Sequence, residues 1–399
     1  MSIFPLFNSG ENDLYARTNI ETNSRKEFPI LGWLTFYKAD DFNKRNIDLL
    51  KEGGINISLG PGMNLRNSIK IADSLDNSSV KYLVNCPAVR NKETYRESVY
   101  SLMSHPSVIG YFLKDEPAIG ELEEWKECKE RVCAIDTSHF CLVDLYPVKY
   151  PGPYPAPEYK KYLKEYVNLF SPPFFSFDNY CIIEKNGELR VFDNYYENLE
   201  IAREVTTETG CPFHTFCLTS PHNNYPTPTI NYLTLEAFAS LAYGSQGIIY
   251  YTVSLDPTRT EMFRSAPLDL NGEPTPTWFM MKEVNRQIQL HSDIFLGCRV
   301  SEVWHTGKQI PTGTRPLIDL PTPLKVFKTG EKGVLLSEIM NGEKKYFVVV
   351  NHDISMPQTI ELKSREKLKL ITKKGIEKKK LKSCKYNLEP GGYAIFEIL

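Results

Sequence analysis

Several features are missing from this 399-residue chain, and each absence removes a class of function. The nine cysteines include no close Cys-x-x-Cys pair, so neither a zinc frame nor a disulfide scaffold is indicated. They read as buried, inert thiols. No uninterrupted apolar run approaches the roughly 18 residues that would suggest a membrane-spanning helix. The formal net charge of −2 offers no general attraction to nucleic acid or to a membrane surface. No Gly-x-Ser-x-Gly string marks a serine hydrolase. No His-x-His ends the first strand candidate, so no metal site is expected, and no cofactor. The opening Met-Ser-Ile-Phe-Pro-Leu-Phe-Asn has neither a basic start nor a long apolar stretch and does not read as a signal peptide. The compartment stays open, since an exported protein without its leader reads the same way.

The chain does hold a rhythm. Short apolar, β-rich runs begin near Ile30, Ile55, Val80, Val108, Phe140, Phe174, Cys211 and Gln246. Helix-like stretches lie between them, at 41–52, 91–104, 121–135, 157–170, 194–209, 230–243 and 277–296. Near-continuous apolar strands suit a parallel sheet buried on both faces. Eight strand–helix units in about 250 residues predict a closed (β/α)8 TIM barrel. An open doubly wound sheet would carry a Gly-rich phosphate turn after its first strand. Here that strand ends in Trp33-Leu-Thr-Phe-Tyr37 instead. After Gly297 the pattern changes to short strand candidates separated by turns such as Asn341-Gly342 and Pro390-Gly-Gly392. That predicts a small C-terminal antiparallel β-sandwich. The expected organisation is a lead segment 1–27, a barrel 28–296 and a β-domain 297–399. Eleven Lys or Arg between Lys363 and Lys385 read as an edge hairpin kept soluble by its charges.

Barrel enzymes place their working residues at the C-terminal strand ends. Those positions offer Trp33, Tyr37, Asp115, Glu116, Asp144, Tyr146, Asp178, Tyr180, His214, His222 and Tyr251. The set is rich in carboxylates and aromatics and poor in basic groups. It suits a neutral polyhydroxyl ligand, an oligosaccharide or glycoside, with no nucleic-acid or membrane partner. Paired carboxylates at one mouth point to glycosidic bond cleavage, with one carboxylic acid protonating the leaving oxygen and a second acting as nucleophile or base. Glu116, in Lys114-Asp-Glu-Pro117, is the candidate acid. The same string would also make a helix start with proline at its first position. Core packing is the bland alternative for each aromatic, Trp278 included.

The strings His105-Pro-Ser-Val-Ile-Gly-Tyr-Phe-Leu-Lys-Asp-Glu-Pro117, Leu241-Ala-Tyr-Gly-Ser-Gln-Gly-Ile-Ile-Tyr-Tyr251 and Pro29-Ile-Leu-Gly-Trp33 resemble barrel glycoside hydrolases of gut Bacteroidetes, loosely related to family 42 β-galactosidases. The resemblance implies a retaining barrel with its acid/base Glu ending the fourth strand, which matches Glu116. There the Glu follows Asn; here it follows Asp115. The nucleophile implied on the seventh strand is missing, because Cys211-Pro-Phe-His-Thr-Phe-Cys-Leu-Thr-Ser220 holds no carboxylate and none follows before Glu236. Asp178, in the aromatic segment Phe177-Asp-Asn-Tyr180, is the favoured second carboxylate. Asp115-Glu116 also resembles the pair of substrate-assisted hexosaminidases, and a barrel that only binds sugar is a third reading.

Overall fold

The computed structural model describes residues 21–22, 25–149, 152–258 and 262–399. Most of the expected lead segment lies outside the described residues; a two-residue ladder pairs Glu21–Thr22 with Arg25–Lys26. Eight parallel strands close into a barrel: β1 (Ile30–Trp33), β2 (Ile57–Leu59), β3 (Lys81–Val84), β4 (Val108–Asp115), β5 (Phe140–Leu145), β6 (Phe175–Phe177), β7 (Phe213–Leu218) and β8 (Ile248–Tyr251). Each is followed by a helix: α1 (Lys44–Glu52), α2 (Leu65–Leu75), α3 (Tyr95–Leu102), α4 (Leu122–Cys133), α5 (Ala156–Phe170), α6 (Tyr195–Thr209), α7 (Ile230–Ala242) and α8 (Pro276–Leu290). Local chemistry sets their ends. Asn43 and Asn64 cap α1 and α2 by accepting from the Asn46 and Asn67 amides, and Gly210 closes α6 at φ +75°. Among the described residues no helix is long and apolar enough to cross a membrane.

Alternate strand positions fill the barrel. Leu31, Trp33, Ile57, Leu59, Leu83, Phe112, Leu142, Phe174, Phe216, Leu218 and Ile249 form one interior cluster. The outward positions join the helices in a second, larger core. The barrel is therefore a packed plug, and chemistry is left to its rim.

The C-terminal part is the expected small antiparallel β-domain, its strands joined in one continuous sheet. Its strands β9 (Arg299–His305), β10 (Leu324–Lys328), β11 (Leu335–Asn341), β12 (Lys344–Val350), β13 (Gln358–Thr372), β14 (Gly375–Leu388) and β15 (Tyr393–Ile398) belong to one antiparallel sheet. The sequence suggests two strands where β13 is continuous, because its middle, Lys363-Ser-Arg-Glu-Lys367, is polar. In the sheet that middle is a register break. The first half of β13 pairs with β10 and the second with β15, while β14 follows both halves. The sheet thereby folds over its own core of Leu336, Phe347, Val349, Ile360, Leu370 and Phe396. Among the described residues the lysine-rich β14 pairs with β13 alone and lies mostly exposed at the edge, where like charges oppose strand-to-strand association.

Helix α7 joins the two parts. Ten consecutive residues, Leu233 to Ala242, are buried, as a helix covered on every side requires. Phe238 stacks on Tyr393 with centroids 3.5 Å apart, Ser337 Oγ donates to the Ala242 carbonyl at 2.6 Å, and Tyr243 Oη pairs with His305 Nε2 at 2.9 Å. Phe238→Ala should therefore cost about 3–5 kcal/mol. Equilibrium denaturant unfolding checks this, and an unchanged midpoint would contradict a shared core at α7.

Candidate functional site

The site is built from the ends of β4, β5 and β6. Strand β4 pairs Phe112 with Leu142 but Lys114 with Val143, so one extra residue bulges at 113. A bulge re-aims the side chains that follow it. It brings Asp115 level with Asp144, whereas plain strand alternation would set neighbouring Asp115 and Glu116 on opposite faces. Glu116 then turns into the left-handed region at φ +47°, with its N–H donating to the Asp144 carbonyl at 2.9 Å. The helix-start reading of Asp-Glu-Pro does not hold. Helix α4 begins only at Leu122, after a turn at Ile119–Glu121. The loop beyond Glu116 is tied down instead: Tyr162 Oη donates to the Pro117 carbonyl and Tyr154 Oη accepts from the Ile119 amide, both at 2.7 Å.

Four carboxylates converge here. Asp144 is buried on β5 and accepts from Ser176 Oγ at 2.5 Å. Asp178 follows β6, is half-buried and lies within hydrogen-bonding reach of Glu116. Two carboxyl groups can share such a bond only if one of them carries a proton. Glu116 is half-buried, and Asp115 is exposed. All four are held above the ordinary carboxylate range, with burial the largest cause in each. For Asp178 the charges of Glu116 and Asp144 add to burial; for Asp144 the charge of Asp115 does. The one cation that opposes these shifts is Lys114, acting on Asp115 and Glu116.

Unsatisfied polarity gathers at the same place. Asp178 Oδ1, both amide atoms of Asn179 and the Tyr180 hydroxyl are buried with no hydrogen-bond partner. A buried polar atom without a partner costs about 1–3 kcal/mol. Three such residues in succession beside the carboxylates mark a surface prepared for a polar ligand. Asn179 was not among the expected site residues, although it sits inside the same Asp-Asn-Tyr string. Tyr180 packs edge-on against Tyr225 at 5.1 Å, and His222 lies 5.6 Å from Tyr251. Nδ1 of His222 donates to the Ser220 carbonyl at 2.8 Å, and burial holds the ring below its ordinary pKa, so a neutral imidazole presents Nε2 as acceptor. Tyr146 is close enough for the Glu116 charge to raise its hydroxyl pKa, after burial.

Other expected residues lie elsewhere. His214 is the second residue of β7, at the entering end of the barrel, stacked on Phe174 at 3.7 Å. Gly247 makes room for it, since a Cβ there would come within 2.4 Å of the ring. Burial pushes His214 down to about 3, so it is a neutral core residue away from the mouth. Trp33 caps the plug, edge-on to Phe112 at 5.0 Å, and only 6% of it is exposed. Tyr37 lines a separate recess of about 140 Å³ with Asp41, Ser254 and Asp269. Trp278 is buried on the outer helix α8. The end of β7 carries no acid: Thr219 and Ser220 bond the Thr252 carbonyl at 2.8 and 3.1 Å. Among the described residues the one acid–histidine group with metal-like spacing is Asp73, Asp76 and His105. Its groups are already engaged, with His105 Nδ1 on Asp76 Oδ2 and Ser107 Oγ on Asp76 Oδ1, both at 2.7 Å.

No protein-family model matches the chain, and no curated protein sequence matches it. Solved structures do. A catalytic mutant of a family 42 β-galactosidase from G. stearothermophilus aligns with a TM-score of 0.57 at 8% identity, over 93% of this chain and 98% of that one. An α-amylase from Geobacillus thermoleovorans, solved with acarbose, gives 0.55 at 10% identity, over 93% and 98%. A glycosyl hydrolase family 2 member from Bacteroides cellulosilyticus gives 0.43 at 11% identity; 95% of this chain is covered, and the chain spans 58% of that protein's length. The first two share a fold with this protein: it is a TIM barrel with the architecture found in glycoside hydrolases. At such identities the likeness says nothing about which residues act.

The raised carboxylates make a pH prediction with a definite sign. A group whose folded pKa lies above its unfolded value favours the folded state below the unfolded pKa of about 3.9, and that contribution is lost as pH rises toward the folded pKa. Asp144→Asn removes one such group. Relative to the parent, the variant should gain thermal stability progressively as pH rises from 4 to 8, with the smallest difference at pH 4. Melting curves of the two proteins across that range check it. A difference that stays constant with pH would mean that Asp144 is not held protonated.

Proposed function

We propose that this protein hydrolyses glycosidic bonds, with Glu116 as the general acid. The observation that carries the proposal is the half-buried Glu116 at the end of β4, set among Asp115, Asp144 and Asp178, all raised above the ordinary carboxylate range. Glycoside cleavage needs a carboxylic acid that keeps its proton near neutral pH, and burial among like charges supplies one. Asp178 is proposed as the second carboxylate. The separation the two carboxyl groups take up around a bound sugar decides between a retaining pair at about 5–5.5 Å and an inverting pair at about 6.5–9.5 Å. Asp178 is raised by this contact and Glu116 lowered, so in the free protein the proton of the pair rests on Asp178, and a sugar entering between the two separates them before Glu116, kept above its ordinary range by burial and by Asp115, acts as acid. Asn179 and the Tyr180 hydroxyl bind sugar hydroxyls, and Tyr146 and Tyr251 offer ring faces. Four acids and one lysine favour a neutral glycoside over a uronate or a sulfated sugar.

One observation favours a second reading. The end of β7 lacks a carboxylate, and the bulge in β4 turns Asp115 toward the mouth beside Glu116. In substrate-assisted hydrolysis the acetamido oxygen of an N-acetylated sugar attacks its own anomeric carbon, and Asp115 would orient the amide N–H.

Release of reducing sugar from plant and host glycans, run in parallel with aryl glycosides, tests both readings. Glu116→Gln should lower kcat/KM by about 10²–10⁴-fold, the usual worth of a general acid. A preference for N-acetylated over unmodified sugars selects the second reading. Binding without turnover, or an unchanged rate in Glu116→Gln, would overturn the assignment of Glu116.

A further inference from the structure

One buried acid is not used by this chemistry. Glu236 lies on α7, 2% exposed, and both its oxygens are taken by backbone amides from two separate segments. Oε1 accepts from the Cys181 N–H at 2.8 Å and Oε2 from the Leu218 N–H at 2.9 Å. Cys181 directly follows Asp178-Asn179-Tyr180, and Leu218 is the last residue of β7. We infer that Glu236 is a positioning residue for the carboxylate site, stapling the segment that carries Asp178 to the end of β7 and so holding Asp178 against Glu116. The inference rests on the proposed pairing of Glu116 and Asp178 in hydrolysis.

The reason is chemical. The segment Asp178–Cys181 comes after β6 has ended; the Cys181 carbonyl accepts from the Phe192 amide at 2.7 Å, while the Cys181 amide is held by Glu236. An ionised carboxylate accepts hydrogen bonds at both oxygens and donates none, and such charge-assisted bonds are about twice as strong as neutral ones. A protonated carboxyl would turn an O–H toward one of the two amides. The titratable groups facing Glu236 are Cys181 after β6, Tyr195 on α6, Cys217 on β7 and Tyr250 on β8. Burial raises all four, so they are neutral near pH 7 and give the carboxylate no counter-charge. Burial accordingly raises Glu236 and the two amide bonds lower it, burial prevailing, so that the group is pushed up to about 7. The staple is therefore complete above neutrality and weakened below it.

Amide hydrogen exchange in the full chain tests the staple without any substrate. In Glu236→Gln, exchange at Cys181 or Leu218 should speed at least tenfold while the circular dichroism and the cooperative unfolding transition persist. In the unmodified protein, the protection factors of the same two amides should fall between pH 8 and pH 6, a readout that needs no variant to fold. On whichever glycoside the protein hydrolyses, Glu236→Gln should lower kcat with little change in KM and remove an acid-side limb near pH 7. Unaltered protection at both amides in the variant and across the pH range would overturn the inference. Lack of turnover by the unmodified protein would count against the proposed hydrolysis and leave the exchange result to decide the staple.

Discussion

The constraint on which the site depends is the crowding of four carboxylates, from the buried Asp144 through the half-buried Glu116 and Asp178 to the exposed Asp115, around one mouth with Lys114 to offset them. Ionised carboxyl groups cannot all be taken out of water together; they bind protons instead. The barrel creates this situation by geometry. A bulge brings Asp115 level with Asp144, a left-handed turn presents Glu116, and β6 ends just before Asp178. Each device is local, and together they concentrate charge where the packed interior stops. The unpartnered atoms of Asp178, Asn179 and Tyr180 lie at the same rim, each at a cost in stability.

That cost requires a stiff support, and the rest of the chain provides it. The interior plug of Leu, Ile and Phe side chains fixes strand register, and α7 is gripped by the barrel on one side and by the folded sheet on the other. Glu236 projects from this doubly covered helix. The C-terminal sheet is thus connected to the mouth through α7, although its strands supply none of the four carboxylates.

Much of the fold is legible in the sequence because the signal is repeated. Eight apolar runs at regular spacing identify the barrel, and the observed strands start within about two residues of them. Helix α2 goes unread because its buried face is short, with Ile71, Ala72 and Leu75 set among polar neighbours. The C-terminal strands β9 and β10 go unread because they are short and interrupted by charged residues, and β13 reads as two pieces because its middle is polar. At the site, Glu116 and Asp178 are legible from their places at strand ends. The inward turn of Asp115 is not, because it depends on one extra residue in β4, and a shift of one position exchanges the faces of a strand. His214 misleads for a related reason. Its strand identity is plain, but only the register shows that it sits at the entering end, with Gly247 opened to receive it.

The account stands on a proton shared between Glu116 and Asp178. Carbon-13 NMR titration of side-chain carboxyls, assigned with Glu116→Gln and Asp178→Asn, observes that proton directly. The account requires at least one midpoint of the pair to lie well above the ordinary carboxylate values of about 3.9 and 4.3, with the two resonances titrating together. Two independent midpoints at or below those values would contradict it.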